Sequence, residues 1–124
     1  MSELRVIRNQ SGEVILQRAT WCASSWCHFK GLQFASPLDD DEGLLFVYGS
    51  ESITNTSIHM FFVFFEIGVV WLDAKGAVVD AKLAKPWRPM YAPAKPAQYF
   101  IEANPTLLDR VRVGDVLQFD EVVS

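Results

Sequence analysis

The feature that most constrains the fold is residues 57–73, SIHMFFVFFEIGVVWLD, a stretch that is almost wholly apolar. Its density of aromatic and β-branched residues favours buried β-strands over a helix. Glu66 and Gly68 interrupt the stretch, and a glycine within a strand pattern usually marks a bulge or a bend. We therefore predict two strands, over residues 57–64 and 67–73. The first is expected to be central and covered on both faces, or to line a closed barrel.

A membrane-spanning helix is not expected in this stretch. His59 and Glu66 lie inside it, and the uncharged remainder is shorter than the ~20 residues that a spanning helix needs. We predict a protein core here and no membrane partner.

The rest of the chain also predicts short strands. Alternation predicts a hairpin over residues 4–9 and 13–18 that turns near Gly12. Unevenly spaced aromatics over residues 19–34 predict a short helix or irregular crossing, which Gly31 ends by taking a positive φ. Further strands are predicted over residues 44–48, 77–83, 98–102 and 116–122, with an acidic loop over residues 37–43 and a brief helix over residues 104–108.

These elements predict one domain over residues 1–124. The expected class is all-β with one or two short helices, arranged as a β-sandwich or flattened barrel. Half of the 124 residues are hydrophobic, which is enough for a sizeable core and excludes disorder. The net charge of −4 argues against a nucleic-acid binder. The chain opens without a basic and apolar leader, so we expect a cytoplasmic protein.

Two cysteines, Cys22 and Cys27, are expected to be free. Cytosolic cysteines are more often small buried hydrophobes than disulfides. If their segment is helical, a five-residue offset points them to different sides, which disfavours a bond. His28 is adjacent, but no second Cys/His pair completes four zinc ligands. We therefore predict no metal and no cofactor.

A series of short motifs resembles one known family. Over residues 19–119 their order and spacing are similar to the uncharacterised family called domain of unknown function 192. The resemblance implies a compact, jelly-roll-like β-sandwich, and it implies no activity because none is established for the family. The motifs are Gly31-Leu32, Gly43-Leu44-Leu45-Phe46, Ile58-His59-Met60-Phe61-Phe62, Val69-Val70-Trp71-Leu72-Asp73 with Gly76 and Val79, Pro86-Trp87-Arg88, Ile101-Glu102 and Gly114-Asp115.

The chain departs from that family in its central stretch. Relatives typically continue with Met-Arg-Phe-Pro-Ile-Asp, where residues 63–68 here read VFFEIG. Phe64 and Gly68 thus replace an arginine and an aspartate. If that pair carried chemistry, it is lost here; if it was a structural ion pair, apolar packing replaces it, which is often neutral or stabilising.

His59 is the first candidate site residue. A histidine can act as an acid, a base or a ligand near neutral pH. The alternative is a buried neutral imidazole that hydrogen bonds to the backbone or to a hydroxyl of Thr54 or Thr56, since buried polar groups need partners.

The proline-rich residues 85–96 supply three further candidates, Trp87, Arg88 and Tyr91. No acidic residue lies between Ala81 and Ile101, so this segment is locally basic. Arginine beside exposed aromatics suits an anion, a planar ligand or an acidic protein surface. In the alternative, Trp87 caps the core and Arg88 pairs with the acids of residues 39–42.

No nucleophile constellation or glycine-rich phosphate loop is recognisable. Our first hypothesis is a noncatalytic module that binds a small anionic ligand or a protein through His59, Trp87, Arg88 and Tyr91. The second is a small hydrolase-like enzyme that uses His59, Arg88 and a carboxylate, and it requires a shared pocket. The third is a structural protein that forms oligomers, such as a homodimer.

Overall fold

The computed structural model describes residues 3–122, whose elements are mainly β-strands. Within this range there are seven strands, one α-helix and one 3-10 helix. In chain order they are β1 (Leu4–Arg8), β2 (Val14–Cys22), α1 (Ser25–Lys30), β3 (Glu42–Ser52), β4 (Ile67–Leu72), β5 (Val78–Ala84), β6 (Ala97–Ala103), the 3-10 helix (Pro105–Asp109) and β7 (Gln118–Glu121).

All seven strands form one open, mixed sheet in the order β5-β4-β6-β3-β2-β1-β7. The β2–β3 pair is parallel and the remaining pairs are antiparallel. An isolated bridge between Ala77 and Val116 joins the segments that precede β5 and β7, the two outer strands. The mostly β prediction is confirmed. The finer prediction of a jelly-roll-like sandwich or a barrel is not confirmed, because the strands of residues 3–122 pair into one open sheet.

The sheet buries a different kind of core on each face. Successive strand residues point to opposite faces, so Ile101 of β6 joins one cluster while Phe100 joins the other. We call the first the aliphatic core and the second the aromatic core. Buried members of the aliphatic core include Ile7, Leu16, Leu45, Val70 and Leu72, and those of the aromatic core include Phe46, Met60, Val69, Trp71 and Phe100.

The second half of the central stretch is the strand that the sequence predicts. All six residues of β4 are buried, because β4 lies between β5 and β6 and contributes to both cores. The prediction of a strand over residues 67–73 is confirmed.

The first half, residues 57–64, is a loop, so the prediction of a central strand there is wrong. The pairing of β4 begins at Ile67 opposite Ala84 and at Gly68 opposite Ala103. Pro86 and Pro105 follow soon after those partners, and proline cannot donate to a ladder. Earlier residues therefore do not continue the ladders of β4, and Ile58 pairs instead with Tyr91 in an isolated bridge.

The prediction of free cysteines is also wrong, because Cys22 and Cys27 form a disulfide. Cys22 ends β2 and Cys27 lies in α1, so the chain turns between them and brings their Cα atoms to 5.6 Å. The helical offset assumed from the sequence does not apply. The helix itself begins after Ser24, whose hydroxyl accepts from the Cys27 amide, and ends at Gly31 with φ +47° as predicted.

Other sequence predictions are mostly confirmed. The hairpin appears as β1 and β2, and the brief helix is the 3-10 turn, in which the Asn104 side chain accepts from the Thr106 amide. Strand β3 runs from Glu42 to Ser52, longer at both ends than predicted. Across residues 3–122, every helix is too short or too polar to span a bilayer.

Candidate functional site

A cavity of about 80 Å³ opens on the aromatic face of the sheet. Residues of α1, β3, β6 and the loop over residues 57–64 surround it. The side chains that matter most to its chemistry are those of His28, Tyr48, His59 and Glu102. It therefore combines ring walls with ionisable groups.

Glu102 is the most unusual residue of this cavity. It lies on β6, opposite Leu44 of β3 and Val69 of β4, and only 6% of it is exposed. Strand alternation places it on the same face as Phe100, so an acid enters an otherwise apolar core. Within residues 3–122 no hydrogen bond or ion pair reaches its carboxyl oxygens, and the residue lines the cavity.

Burial controls the ionisation of this site. Desolvation raises the pKa of the Glu102 carboxyl to about 8, so most of the acid is neutral at pH 7. Desolvation also raises the pKa of Tyr48, and the nearby Glu102 charge adds to that rise. A carboxyl with such a pKa gains or loses a proton easily near neutral pH.

Stacked rings form the wall beside Glu102. The ring centroids are 4.4 Å apart for His28 and Tyr48, and 4.3 Å apart for Phe46 and Phe100. The Nε2 atom of His28 lies 2.9 Å from the Cys22 carbonyl oxygen. Because the disulfide ties α1 to β2, it holds this imidazole against the sheet.

His59 lines the same cavity, although not in the setting expected for it. The residue is exposed in a loop, and its Nδ1 atom accepts a hydrogen bond from the Phe61 amide at 3.2 Å. The alternative expected a buried imidazole bonded to the backbone or to a hydroxyl of Thr54 or Thr56. Its burial is wrong, because His59 is exposed, but its hydrogen bond is indeed to the backbone.

The proline-rich loop packs beside the His59 loop through its backbone. Ile58 and Tyr91 form an isolated antiparallel bridge, and the Met60 amide donates to the Arg88 carbonyl at 2.8 Å. Tyr91 is half-buried, and its hydroxyl accepts from the Lys85 amide at 2.9 Å. This loop is therefore fixed to its neighbour rather than free to swing.

Arg88 itself is exposed and does not line the cavity that holds His59 and Glu102. The shared pocket required by the hydrolase-like hypothesis is thus not formed by His59 and Arg88. The alternative pairing is also not seen, because none of the ion pairs found in the described part of the chain joins Arg88 to residues 39–42.

Trp87 belongs to an exposed aromatic cluster made of Phe34, Phe62, Phe64 and Trp87. These side chains are between 42% and 70% exposed. Ring centroids lie 4.9 Å apart for Phe34 and Phe62, 5.1 Å for Phe62 and Trp87, and 5.5 Å for Phe64 and Trp87. Four rings thus pack on each other at the surface instead of entering either core.

The backbone of this cluster is unusual as well. Phe34, Phe62 and Trp87 have φ values of 60°, 62° and 66°, and they are the three positive-φ residues other than glycine in the described part of the chain. Bulky L residues avoid this region, and such conformations persist where the surroundings impose them. The Phe34 amide donates to the Phe62 carbonyl, and the Trp87 amide donates to the Met60 carbonyl, both at 2.8 Å.

The sequence reasoning missed Glu102 as a site residue. Glu102 entered only as part of a family motif, although a signal was present. It stands two positions after Phe100 in a strand pattern, which is the spacing of residues on one face. An acid on an apolar strand face predicts either a buried partner or a site.

Comparison with known proteins places the chain in a family. The family model for DUF192, described as an uncharacterized ACR, matches residues 6–119. The chain belongs to this family. The resemblance inferred from the short motifs is confirmed.

Archaeal relatives of the DUF192 family carry the name UPF0127 protein. One from Thermococcus kodakarensis is 42% identical over 93 residues, covering 73% of this chain and 57% of the relative. One from Thermococcus sibiricus is 33% identical over 117 residues, covering 93% of this chain and 74% of the relative. The chain therefore spans little more than half of the Thermococcus kodakarensis protein.

Solved structures share the fold of this DUF192 chain. A putative transcription regulator from Sinorhizobium meliloti superposes with a TM-score of 0.82 at 20% identity, covering 94% of this chain and 93% of the other. A protein of unknown function from Novosphingobium aromaticivorans gives 0.77 at 21% identity, covering 93% and 83%. At these identities the likeness concerns the fold alone.

Proposed function

We propose that this protein is a noncatalytic binding module that recognises an acidic partner protein through the aromatic cluster and the basic loop beside it. The observation that carries the proposal is the set of four exposed, mutually packed rings, three of which belong to residues with positive φ. The sequence-based candidates Trp87 and Arg88 contribute the ring and the charge. Tyr91 and His59 support them by fixing the two loops.

The strained backbone supports a functional role for the cluster. Each left-handed residue other than glycine costs about 1–3 kcal/mol, and aromatic pairs return about 0.5–1.5 kcal/mol each. Strain of this kind gathers at binding surfaces, where it presents side chains in a fixed arrangement. Rings that are already ordered lose little conformational entropy on binding.

Charge supports an acidic partner. Lys85, Arg88 and Lys95 are exposed and lie in a segment without acidic residues, in a chain whose net charge is −4. Within residues 3–122 none of the three takes part in an ion pair, whereas the nearby Lys82 pairs with Asp80 at 3.4 Å. A partner that presents carboxylates around an apolar patch would match both the rings and the cations.

The test is selection of binding peptides from a random displayed library, followed by measurement of their affinities. We expect acidic peptides with apolar residues to be enriched. Trp87→Ala and Arg88→Glu should each weaken binding at least tenfold. Trp26→Ala and Arg112→Glu are matched controls, because both side chains are exposed elsewhere, and they should leave binding unchanged.

Four outcomes would contradict this proposal. If the selected peptides were not enriched in acidic residues, the basic loop would have no role in choosing the partner. Equal losses in the control variants would show nonspecific adhesion. A stable dimer in sedimentation experiments that Trp87→Ala dissociates would instead support the homodimer hypothesis. Binding of small anions without binding of any peptide would support the small-ligand form of the first hypothesis.

A further inference from the structure

We propose that the cavity beside Glu102 binds a primary ammonium head group, and that the Glu102 carboxylate is its counterion. This site lies on the sheet face under α1 and does not depend on the partner surface proposed above. Binding converts the neutral acid to a carboxylate and releases its proton to solvent.

The first support is the unpaired acid that lines the cavity. Buried polar groups almost always have partners, and buried charges are almost always paired. Glu102 is buried as a residue on the interior strand β6. No hydrogen bond or ion pair reaches its carboxyl within residues 3–122, and since no fully enclosed side-chain oxygen or nitrogen of these residues lacks a partner, the carboxyl oxygens reach the space of the cavity. Gly31 leaves the side open, since a Cβ at that position would lie 3.7 Å from the Glu102 Oε1 atom.

The second support is the ring wall. His28 stacks on Tyr48, and Phe46 stacks on Phe100, around the cavity that Glu102 lines. Aromatic faces attract cations, so those ring faces that line the cavity and are not covered by stacking favour a cation there. A carboxyl enclosed by such rings is therefore suited to a cation more than to an anion.

The size of the cavity defines what part of a ligand enters. Its volume is about 80 Å³, whereas sites for whole drug-sized ligands measure roughly 300–1,000 Å³. One water occupies about 30 Å³ in the liquid. The cavity therefore accepts an ammonium group with one or two carbons, and a longer chain would leave through the opening beside His59.

Other ionisable groups face the same space as Glu102. They are His28 and Lys30 from α1, Tyr48 from β3 and His59 from the loop. Lys30 is exposed, so water screens its charge. Protonation of Glu102 as the pH falls removes the counterion of the ammonium group. Ammonium affinity should therefore rise with pH, by up to tenfold per unit where one proton is released.

The test uses ethylammonium as the probe, with acetate and tetramethylammonium as comparators. Amide NMR spectra of the whole chain would be titrated at several values between pH 6 and pH 9. We expect saturable shifts at Gly31 and Ile58 with ethylammonium, at least tenfold weaker binding of both comparators, and a rise in affinity that levels off above about pH 8. Because this uses the native protein, no variant has to fold for it to succeed or fail.

A matched pair of variants completes the test. Glu102→Gln should weaken ethylammonium binding at least tenfold and remove the pH dependence near pH 8, while the exposed Glu66→Gln should change neither. Failure of ethylammonium to saturate, equal binding of acetate, or affinity that falls with rising pH would each overturn the proposal. The last result would indicate a ligand that accepts a hydrogen bond from the neutral acid.

Discussion

The two faces of strand β6 differ sharply although they share one backbone. Ile101 and Ala103 point into the aliphatic core, where every buried partner is apolar. Phe100 and Glu102 point the other way, toward stacked rings, a cavity and the disulfide-tethered helix. The face with the aliphatic core is fully packed and stabilises the fold. The opposite face contains a cavity, and there the sheet accommodates an acid with a raised pKa. The proposed ammonium site therefore lies on the face that is incompletely filled.

The largest expected effect concerns the ionisation of Glu102. Its folded pKa of about 8 lies above the unfolded value, so between pH 4.3 and pH 8 the folded state binds more protons than the unfolded state does. The contribution of this carboxyl to the free energy of unfolding should be fully present below about pH 4.3 and should be lost as pH rises through about 8, by on the order of 5 kcal/mol. Urea denaturation at a series of pH values measures this. Glu102→Gln should flatten the profile, and an unchanged slope would place the titration elsewhere.

Removing packing from the face with the aliphatic core should come next in size. Ile101→Ala leaves a cavity in the aliphatic core, where Ile101 is fully buried, and it should lower the free energy of unfolding by about 2–5 kcal/mol. The pH slope and ethylammonium binding should stay as in the native protein. Val113→Ala is the control, because it shortens an aliphatic side chain that is exposed. Loss of the pH slope in Ile101→Ala would show that the two faces are not independent.

The disulfide should contribute less. Replacing Cys22 and Cys27 together by alanine removes a short-loop crosslink, which is expected to lower the free energy of unfolding by about 2 kcal/mol. Because α1 then loses its tie to β2, the His28 ring should move more freely, and ethylammonium binding should weaken severalfold. Urea denaturation and His28 NMR line shapes would record both. Unchanged stability in the double variant would mean that other contacts hold the helix.

The smallest effect tests the strained backbone of the aromatic cluster. Phe34 has φ +60°, which glycine adopts freely and alanine does not. Phe34→Gly should therefore be more stable than Phe34→Ala by about 1 kcal/mol. Thermal unfolding of the two variants gives the difference. If Phe34→Ala were as stable as Phe34→Gly or more stable, residue 34 would not have the left-handed conformation in solution.

The sequence predicted correctly those elements whose signals are local in the chain. It failed where the structure of a segment depends on residues that are distant in the sequence. Alternation predicted β4 and the β1–β2 hairpin because those signals are local. Residues 57–64 carry an equally strong β pattern, but β5 and β6, which pair with β4, do not extend beside them. The sequence of residues 57–64 contains no information about where those partner strands end. Phe61, Phe62 and Phe64 are thus exposed instead of central.

The candidate site was predicted only in part, for the same reason. His59 was predicted in a strand but lies on a loop that adjoins the loop of Trp87 and Tyr91, and the pairing of strands far apart in sequence decides what these residues face. The disulfide was missed because Cys22 and Cys27 belong to different elements. Glu102 was overlooked because a lone acid in a strand is usually solvated. Its spacing from Phe100 placed it on an apolar strand face, and the order of the sheet shows in addition that β6 is an interior strand.

The most direct test of the whole account is the titration of the Glu102 side-chain carboxyl, followed by ¹³C NMR in the native protein. We predict a midpoint near pH 8, and a shift to lower pH when ethylammonium is added, because the cation stabilises the carboxylate. A midpoint near the ordinary value of about 4.3, with no response to ethylammonium, would contradict it.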